Sequence, residues 1–259
     1  MIHLKTEEQI ASIRKACHLT ADMFNELIPR IKAGMSTYEI DKMFEKYITS
    51  HGGTPAWWHE DYPGSVCISV NEVVIHGLPS KKKIIKEGDL VSLDVGIDLN
   101  GYISDTTHSV LIGNVKPEVA KLKKVTEECL KAGIAACKVG NRVSDISNAV
   151  YEIARANGYG VVYDYCGHGV GLEVHEDPSV PNCPSRGLNP RLRPGMVLAI
   201  EPMINLGTAD VKTLNDGWTV VTCDGKVSCH EEHTVALFED HTEVLTDLNY
   251  NNYNKQLLI

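Results

Sequence analysis

EGDLVSLDVGIDLNGYISDTTHSV, residues 87 to 110, aligns with PGMVLAIEPMINLG, residues 194 to 207, continued by DGKVSCHEEHTVAL, residues 224 to 237. Gly88 precedes Asp94 by six residues, and Gly195 precedes Glu201 by six. In each copy a second carboxylate follows a glycine: Asp105 lies four residues past Gly101, and Glu232 seven past Gly225. Both lie in strand-like runs that close on Thr-x-x-Val or Thr-Val. Two related halves in one chain imply a pseudo-two-fold axis with the four acids facing one another across it.

The sequence around these copies repeats in the same order. Thr6 and Gln9 form a capping box ahead of Ile10, Ile13, Cys17, Phe24, Leu27 and Ile31, apolar at helical spacing, with Pro29 near the end. Ser36 and Glu39 repeat the device for a second helix that His51, Gly52 and Gly53 terminate. Strand-like runs follow at 65–70, 89–97 and 101–112. Pro117 then opens a second pair of helices, the latter from about Val143 to Ala156 and stopped by Gly158. Strand-like runs resume at 161–165, 196–200, 218–222 and 233–238. Segregated helices and strands with few crossovers specify an α+β fold rather than a doubly wound sheet. The reading is a single catalytic domain over 1–259, with halves of about 1–115 and 116–247 and a polar tail at 248–259.

Composition excludes several classes. With 43% hydrophobic and 23% charged residues in 259, the chain is globular and has room for a full core. A formal charge of −9 argues against a nucleic-acid-binding face. No apolar run approaches the roughly 18 residues of a membrane span, and the N-terminus is amphipathic and acidic rather than signal-like, so a soluble cytoplasmic protein is expected. The eight cysteines form no C-x-x-C pair and read as reduced, mostly buried thiols.

Asp94, Asp105, Glu201 and Glu232 all sit in or beside otherwise apolar strand runs. Alternation along a strand sends residues i and i+2 to one face, so each acid can point inward while its neighbours pack on the other side. Four carboxylates gathered inside a protein cannot all remain ionised unless positive charge joins them. Local cations are too few. Two divalent ions match four carboxylates in charge, and bridging carboxylates hold paired ions about 3.5–4 Å apart in two-metal hydrolytic sites. One imidazole would complete a shell suited to Mn, Fe or Co as well as Zn.

CGHGVGLEVHEDP, residues 166 to 178, supplies that imidazole. Gly167, Gly169 and Gly171 are expected to let the chain turn closely around His168, bringing its ring into the metal cavity, with His175 at the rim. The stretch is not a dinucleotide fingerprint, since Pro178 and Pro181 follow where a helix should start. No phosphate-binding loop, H-E-x-x-H motif or G-x-S-x-G elbow occurs.

SVCISVNEVVIHGLP, LDVGIDLNGYISDTTHSV, GHGVGLEVHEDP, IEPM, and DGWTVVTCDG followed by EEHTV together resemble the type I methionine aminopeptidases, pita-bread metallopeptidases, over nearly the whole chain. The resemblance implies two pseudosymmetric halves of helices packed on a curved antiparallel sheet. It implies Asp94, Asp105, His168, Glu201 and Glu232 as ligands of two divalent ions, with Glu201 also the proton acceptor. It implies His76 near the scissile amide, His175 on the carbonyl oxygen, and Tyr62, Cys67 and Trp218 around the methionine side chain. The implied substrate is the N-terminal methionine of peptides and nascent proteins with a small second residue, processed by a short, bacterial-like monomeric form. Such an enzyme would visit the ribosome, where Lys81 to Lys83 are the candidate contact with RNA phosphate.

Departures from the family pattern are expected at the pocket mouth: Glu60-Asp61 before Tyr62-Pro63, preceded by Trp57-Trp58-His59, and Val174 before the second histidine. Two other functions fit the ligand pattern. One is an Xaa-Pro aminopeptidase or prolidase, opposed by the short N-terminus and by SVCISVNEVV-x-HG. The other is an inert pita-bread binding protein, opposed by the intact ligand set.

Overall fold

The computed structural model describes residues 1–250. The first part of the chain supplies helices α1 (Glu7–Leu27) and α2 (Thr37–Ser50) and strands β1 (Thr54–Pro55), β2 (Cys67–Val70), β3 (Val73–Ile75), β4 (Leu90–Asp98) and β5 (Ile103–Leu111). The second supplies α3 (Pro117–Ala136), α4 (Val143–Ala156), β6 (Gly160–Val161), β7 (Gly167–Gly169), β8 (Glu176–Val180) and β9 (Val197–Ile200). It continues with β10 (Met203–Asn205), β11 (Val211–Thr213), β12 (Val220–Thr222), β13 (Ser228–His230), β14 (His233–Leu237) and β15 (Thr242–Val244). The four helices begin where the sequence places them; α1 ends at Leu27, short of Ile31, with a 3₁₀ turn over Ile28–Arg30 that carries Pro29. Thr6 and Ser36 both accept from the backbone N–H three residues on, and Gln9 and Glu39 return the bond, so both helix starts leave fewer orphan donors.

Each half has a central three-strand unit. β4 lies between β2 and β5, and β9 lies between β7 and β14, all antiparallel. Alternation then divides the faces. In β4, Val91, Leu93, Val95 and Ile97 pack against Phe24, Leu27, Ile40, Phe44 and Ile48 of α1 and α2. In the second half, Leu198, Ile200, Val235 and Leu237 pack with Leu130, Val143 and Ile146 from α3 and α4. Residues at the intervening positions, among them Asp94, Asp105, Ala199 and Thr234, face away from these helices.

The halves are joined through their strands. Thr106 Oγ1 donates to the carbonyl of Glu232 at 2.6 Å, and Thr234 Oγ1 donates to the carbonyl of Asp105 at 2.7 Å. The Glu232 N–H donates to Thr107 O at 3.0 Å. Carbonyls beside two acids from different halves are thus held by threonines of the opposite half.

Two expectations need correction. Residues 161–165 do not continue as a strand; β6 ends at Val161, and the chain leaves the sheet so that Asp164, Tyr165 and Cys166 line a cavity instead. Tyr165 packs edge-on against His76 there, ring centroids 5.9 Å apart. The glycines at 167 and 169 make no turn either. Both lie in β7, where a Cβ would come within 2.3 Å of Ala199 O and 2.4 Å of Asp177 O respectively. Close approach of neighbouring backbones requires them, and only Gly171, at φ +128°, needs glycine's conformational range. Of the expected tail, Leu248 to Tyr250 pack on α1, with the Tyr250 hydroxyl donating to Asp22 at 2.9 Å; positions 251–259 lie outside the described residues.

Candidate active site

A cavity of about 310 Å³ opens on the sheet face turned away from the helices. Its wall includes Asp94, Asp105, His168, Glu201 and Glu232, and no Lys or Arg among the described residues. Strand register explains the convergence. Asp105 pairs with Gly96, two residues beyond Asp94, so both acids share a face of the β4–β5 pair. His168 pairs with Ala199, two residues before Glu201. Glu232 immediately precedes β14, whose Thr234 pairs with the same Ala199.

Asp105, His168 and Glu232 offer ligand atoms that all lie within 4.8 Å of one another. Glu201 joins through His168, whose Nε2 is 3.5 Å from Asp105 Oδ2 and 3.6 Å from Glu201 Oε1. Asp94 lines the same cavity but stands outside the tight triad. His168 Nδ1 is 2.9 Å from the carbonyl of Gly169; a proton on Nδ1 donated there leaves the Nε2 lone pair facing the acids. Asp94 Oδ1, Asp105 Oδ1 and Glu232 Oε1 are buried without a hydrogen-bond partner.

The electrostatics follow from that burial. Desolvation raises the Asp94 carboxyl to about 6, partly opposed by His230. Asp105 is raised well above the usual range by desolvation and then by Glu232, Asp94 and Glu201. Glu201 and Glu232 rise for the same two reasons, burial first and neighbouring carboxylates second. His168 is pushed down to about 4 by burial, so its imidazole is neutral at pH 7. Orphaned oxygens, mutual repulsion and a neutral imidazole are what a cation would relieve, and the donor set therefore fits divalent metal.

His76, Tyr62, Cys67, His175 and Trp218 line the same cavity. His76 follows β3 with φ +56°, a left-handed conformation uncommon outside glycine, and burial lowers its pKa to about 4. Its ring lies 6.3 Å from that of Trp218, edge-on. Trp218 in turn meets Tyr62 edge-on at 5.3 Å, and Tyr62 donates to Gly77 O at 2.8 Å. Cys67, 3% exposed, pairs in register with Asp94 and closes the same wall. His175 stands at the opening, its ring 4.5 Å from that of His168.

Residues outside the sequence expectation also contribute. Trp57 Nε1 donates to Asp94 O at 3.1 Å, which gives the Trp57-Trp58-His59 departure a structural task. Glu60 Oε1 lies 3.5 Å from His175 Nδ1 at the rim. Val174 is not at the mouth: it is 3% exposed and packs in the core with Val170 and Cys17. His230 was missed, although its spacing of two from Glu232 in an extended run was the available signal. Its Nε2 sits 3.3 Å from Glu201 Oε2.

Residues 11–239 match the model of metallopeptidase family M24. A methionine aminopeptidase of Treponema pallidum is 58% identical over 248 residues, 95% of this chain and 97% of that protein. The crystal structure of the methionine aminopeptidase of Rickettsia prowazekii superposes with a TM-score of 0.92 at 35% identity, over 95% of this chain and all of that one. A prolidase of Pyrococcus furiosus shares the fold at a TM-score of 0.76 and 26% identity, but only 65% of its chain is covered. The helices and antiparallel sheet are those of the pita-bread fold that these proteins share, and the chain belongs to metallopeptidase family M24.

Proposed function

We propose that this chain is a divalent-metal aminopeptidase that removes methionine from the N-terminus of peptides and nascent proteins whose second residue is small. The observation that carries the reading is the convergence of Asp94, Asp105, His168, Glu201 and Glu232 on one cavity, with orphaned carboxylate oxygens and no basic side chain in its wall. Those five side chains would hold two ions, drawn from Mn, Fe, Co or Zn. When bound, the ions supply Lewis acidity and a water acidic enough to act as nucleophile near neutral pH.

The protein's own groups do the rest. Tyr62, Cys67 and Trp218 receive the unbranched thioether side chain, for which an aromatic and sulfur-lined wall is a favourable surround. That docking sets the scissile carbonyl between the acid cluster and His175. His175 donates to the developing oxyanion, and its place at the opening leaves room for the following residues. Glu201, ionised when cations stand beside it, accepts a proton from the attacking water and returns it toward the leaving amine. His76, neutral at pH 7, assists at the amide nitrogen.

The chain acts as one catalytic domain with halves meeting near residue 115, as a cytoplasmic monomer that contacts the ribosome transiently through Lys81 to Lys83. Among the described residues no helix is long and apolar enough to cross a membrane. Metal-free protein titrated with single metals and assayed on Met-Ala-Ser, Met-Pro-Pro and Gly-Pro peptides tests substrate and cofactor together. Metal-dependent release of methionine from Met-Ala-Ser is expected. Cleavage confined to the proline peptides would replace the reading with a prolidase-type activity, and absence of Mn²⁺ binding with an inert one.

A further inference from the structure

His230 closes β13 with 2% of its surface exposed, and both of its backbone groups are tied down. Its N–H donates to Ser92 Oγ at 3.4 Å, and its carbonyl accepts from Ser109 Oγ at 2.8 Å. The register with β10 sets it opposite Met203, two residues past Glu201. From there the ring reaches the acid cluster, where Nε2 lies 3.3 Å from Glu201 Oε2 and has no hydrogen-bond partner. The other oxygen of the same carboxylate, Oε1, is the one beside His168 Nε2 at 3.6 Å. A buried, unpaired ring nitrogen therefore faces one side of Glu201 while the metal-facing imidazole stands at the other.

We propose that His230 is a positioning residue for Glu201: a small rotation of its ring across the 3.3 Å gap lets Nε2–H donate to Oε2, which keeps Oε1 turned toward His168 and the cation. A neutral imidazole carries one N–H and one lone pair, so this role requires the tautomer protonated at Nε2. Donors of this kind orient a ligand carboxylate before the ion arrives and remove the cost of ordering it afterwards. The inference rests on the reading of Glu201 as a metal ligand.

Calorimetric titration of metal-free wild type, His230→Gln and His230→Leu with Mn²⁺ tests it, with melting temperatures of the metal-free proteins taken alongside. Gln retains an N–H donor of similar reach, and Leu retains bulk without one. The Gln variant is expected to bind within about 3-fold of wild type and the Leu variant about 10- to 100-fold more weakly. Unaltered affinity in the Leu variant overturns the proposal. Equal weakening in both variants also overturns it, because it means that the ring nitrogen itself ligates the ion. Should the Leu variant not fold, a ¹⁵N spectrum of Zn²⁺-loaded wild type decides: Nε2 must carry its proton, and an unprotonated Nε2 refutes the role. Wild type that binds no Mn²⁺ removes instead the metal-hydrolase reading beneath it.

Discussion

Between about pH 6.5 and 8 the stability of metal-free protein should fall more steeply, or rise less, than that of the metal-loaded protein. A carboxyl whose folded pKa is raised keeps its proton in the native state after the unfolded chain has lost it. Each such group lowers stability by about 1.4 kcal/mol per pH unit between its unfolded and folded pKa values. Below pH 6.5 the effect is masked. There His76, His168, His230 and His233, all lowered to about 4 by burial, contribute stability that is lost as pH falls, which is a slope of opposite sign. Above 6.5 those histidines are neutral in the folded state but lose their last unfolded-state protons only by about pH 7.5, and toward pH 8 buried thiols raised by desolvation add to the fall, so the difference between metal-free and metal-loaded protein is what isolates the cluster. Glu231, buried and raised to about 8, contributes roughly 2 kcal/mol across this window without being a ligand. Glu231→Gln removes that background. Relative to metal-loaded Glu231→Gln protein, the metal-free form should lose about 1.4 kcal/mol more per pH unit for each proton that the Asp105, Glu201 and Glu232 set keeps. Urea unfolding at pH 6.5, 7.25 and 8, with and without saturating Mn²⁺, measures it. A metal-free profile no steeper than the metal-loaded one would mean that the cluster carries no uncompensated charge, and the physical case for cations there would fail.

Replacing His175 by Ala should lower kcat/KM on Met-Ala-Ser by roughly two to three orders of magnitude, the usual cost of one oxyanion donor; steady-state kinetics on the folded variant checks it. Lys5 and Glu176, 1% and 3% exposed, form a 2.6 Å buried ion pair, and Glu176 Oε1 also accepts from the N–H of Leu172 at 2.8 Å. Lys5→Met alone should therefore cost about 3–5 kcal/mol in urea unfolding, and Lys5→Met with Glu176→Gln, which removes the buried charge but keeps an acceptor for Leu172, should recover part of it. Gly167→Ala, which puts a Cβ 2.3 Å from Ala199 O, should separate β7 from β9 and weaken Mn²⁺ binding measured by calorimetry, whereas Gly187→Ala, with an ordinary φ and no contact closer than 3.5 Å, should not.

The helices were legible because their signals are local: two capping boxes, a proline at a helix start and apolar residues at turns of one stripe. The acids were legible because a carboxylate inside an apolar strand is conspicuous, and the duplicated spacing tied Asp94 to Glu201 before any contact was known. Much of the remainder depends on partners remote in the chain. The two- and three-residue strands β1, β3, β6 and β11 are too short to show a period and exist only through their ladders. Residues 161–165 read as a strand because Val161, Val162, Tyr163 and Tyr165 are strand formers, yet only Val161 finds a pairing partner. The need for glycine at 169 is set by the carbonyl of Asp177 across the ladder, which composition cannot reveal. His230 looked like one more residue of a polar run until β13 turned it toward Glu201.

The crossed threonine bonds between β5 and β14 bear on what a cut chain could do. Residues up to 115 carry Asp94 and Asp105, and those beyond carry His168, Glu201 and Glu232. A nick in the 113–116 turn would leave neither fragment with a full donor set. Catalysis would then depend on reassociation, vanish on dilution, and return in proportion to the product of the two fragment concentrations.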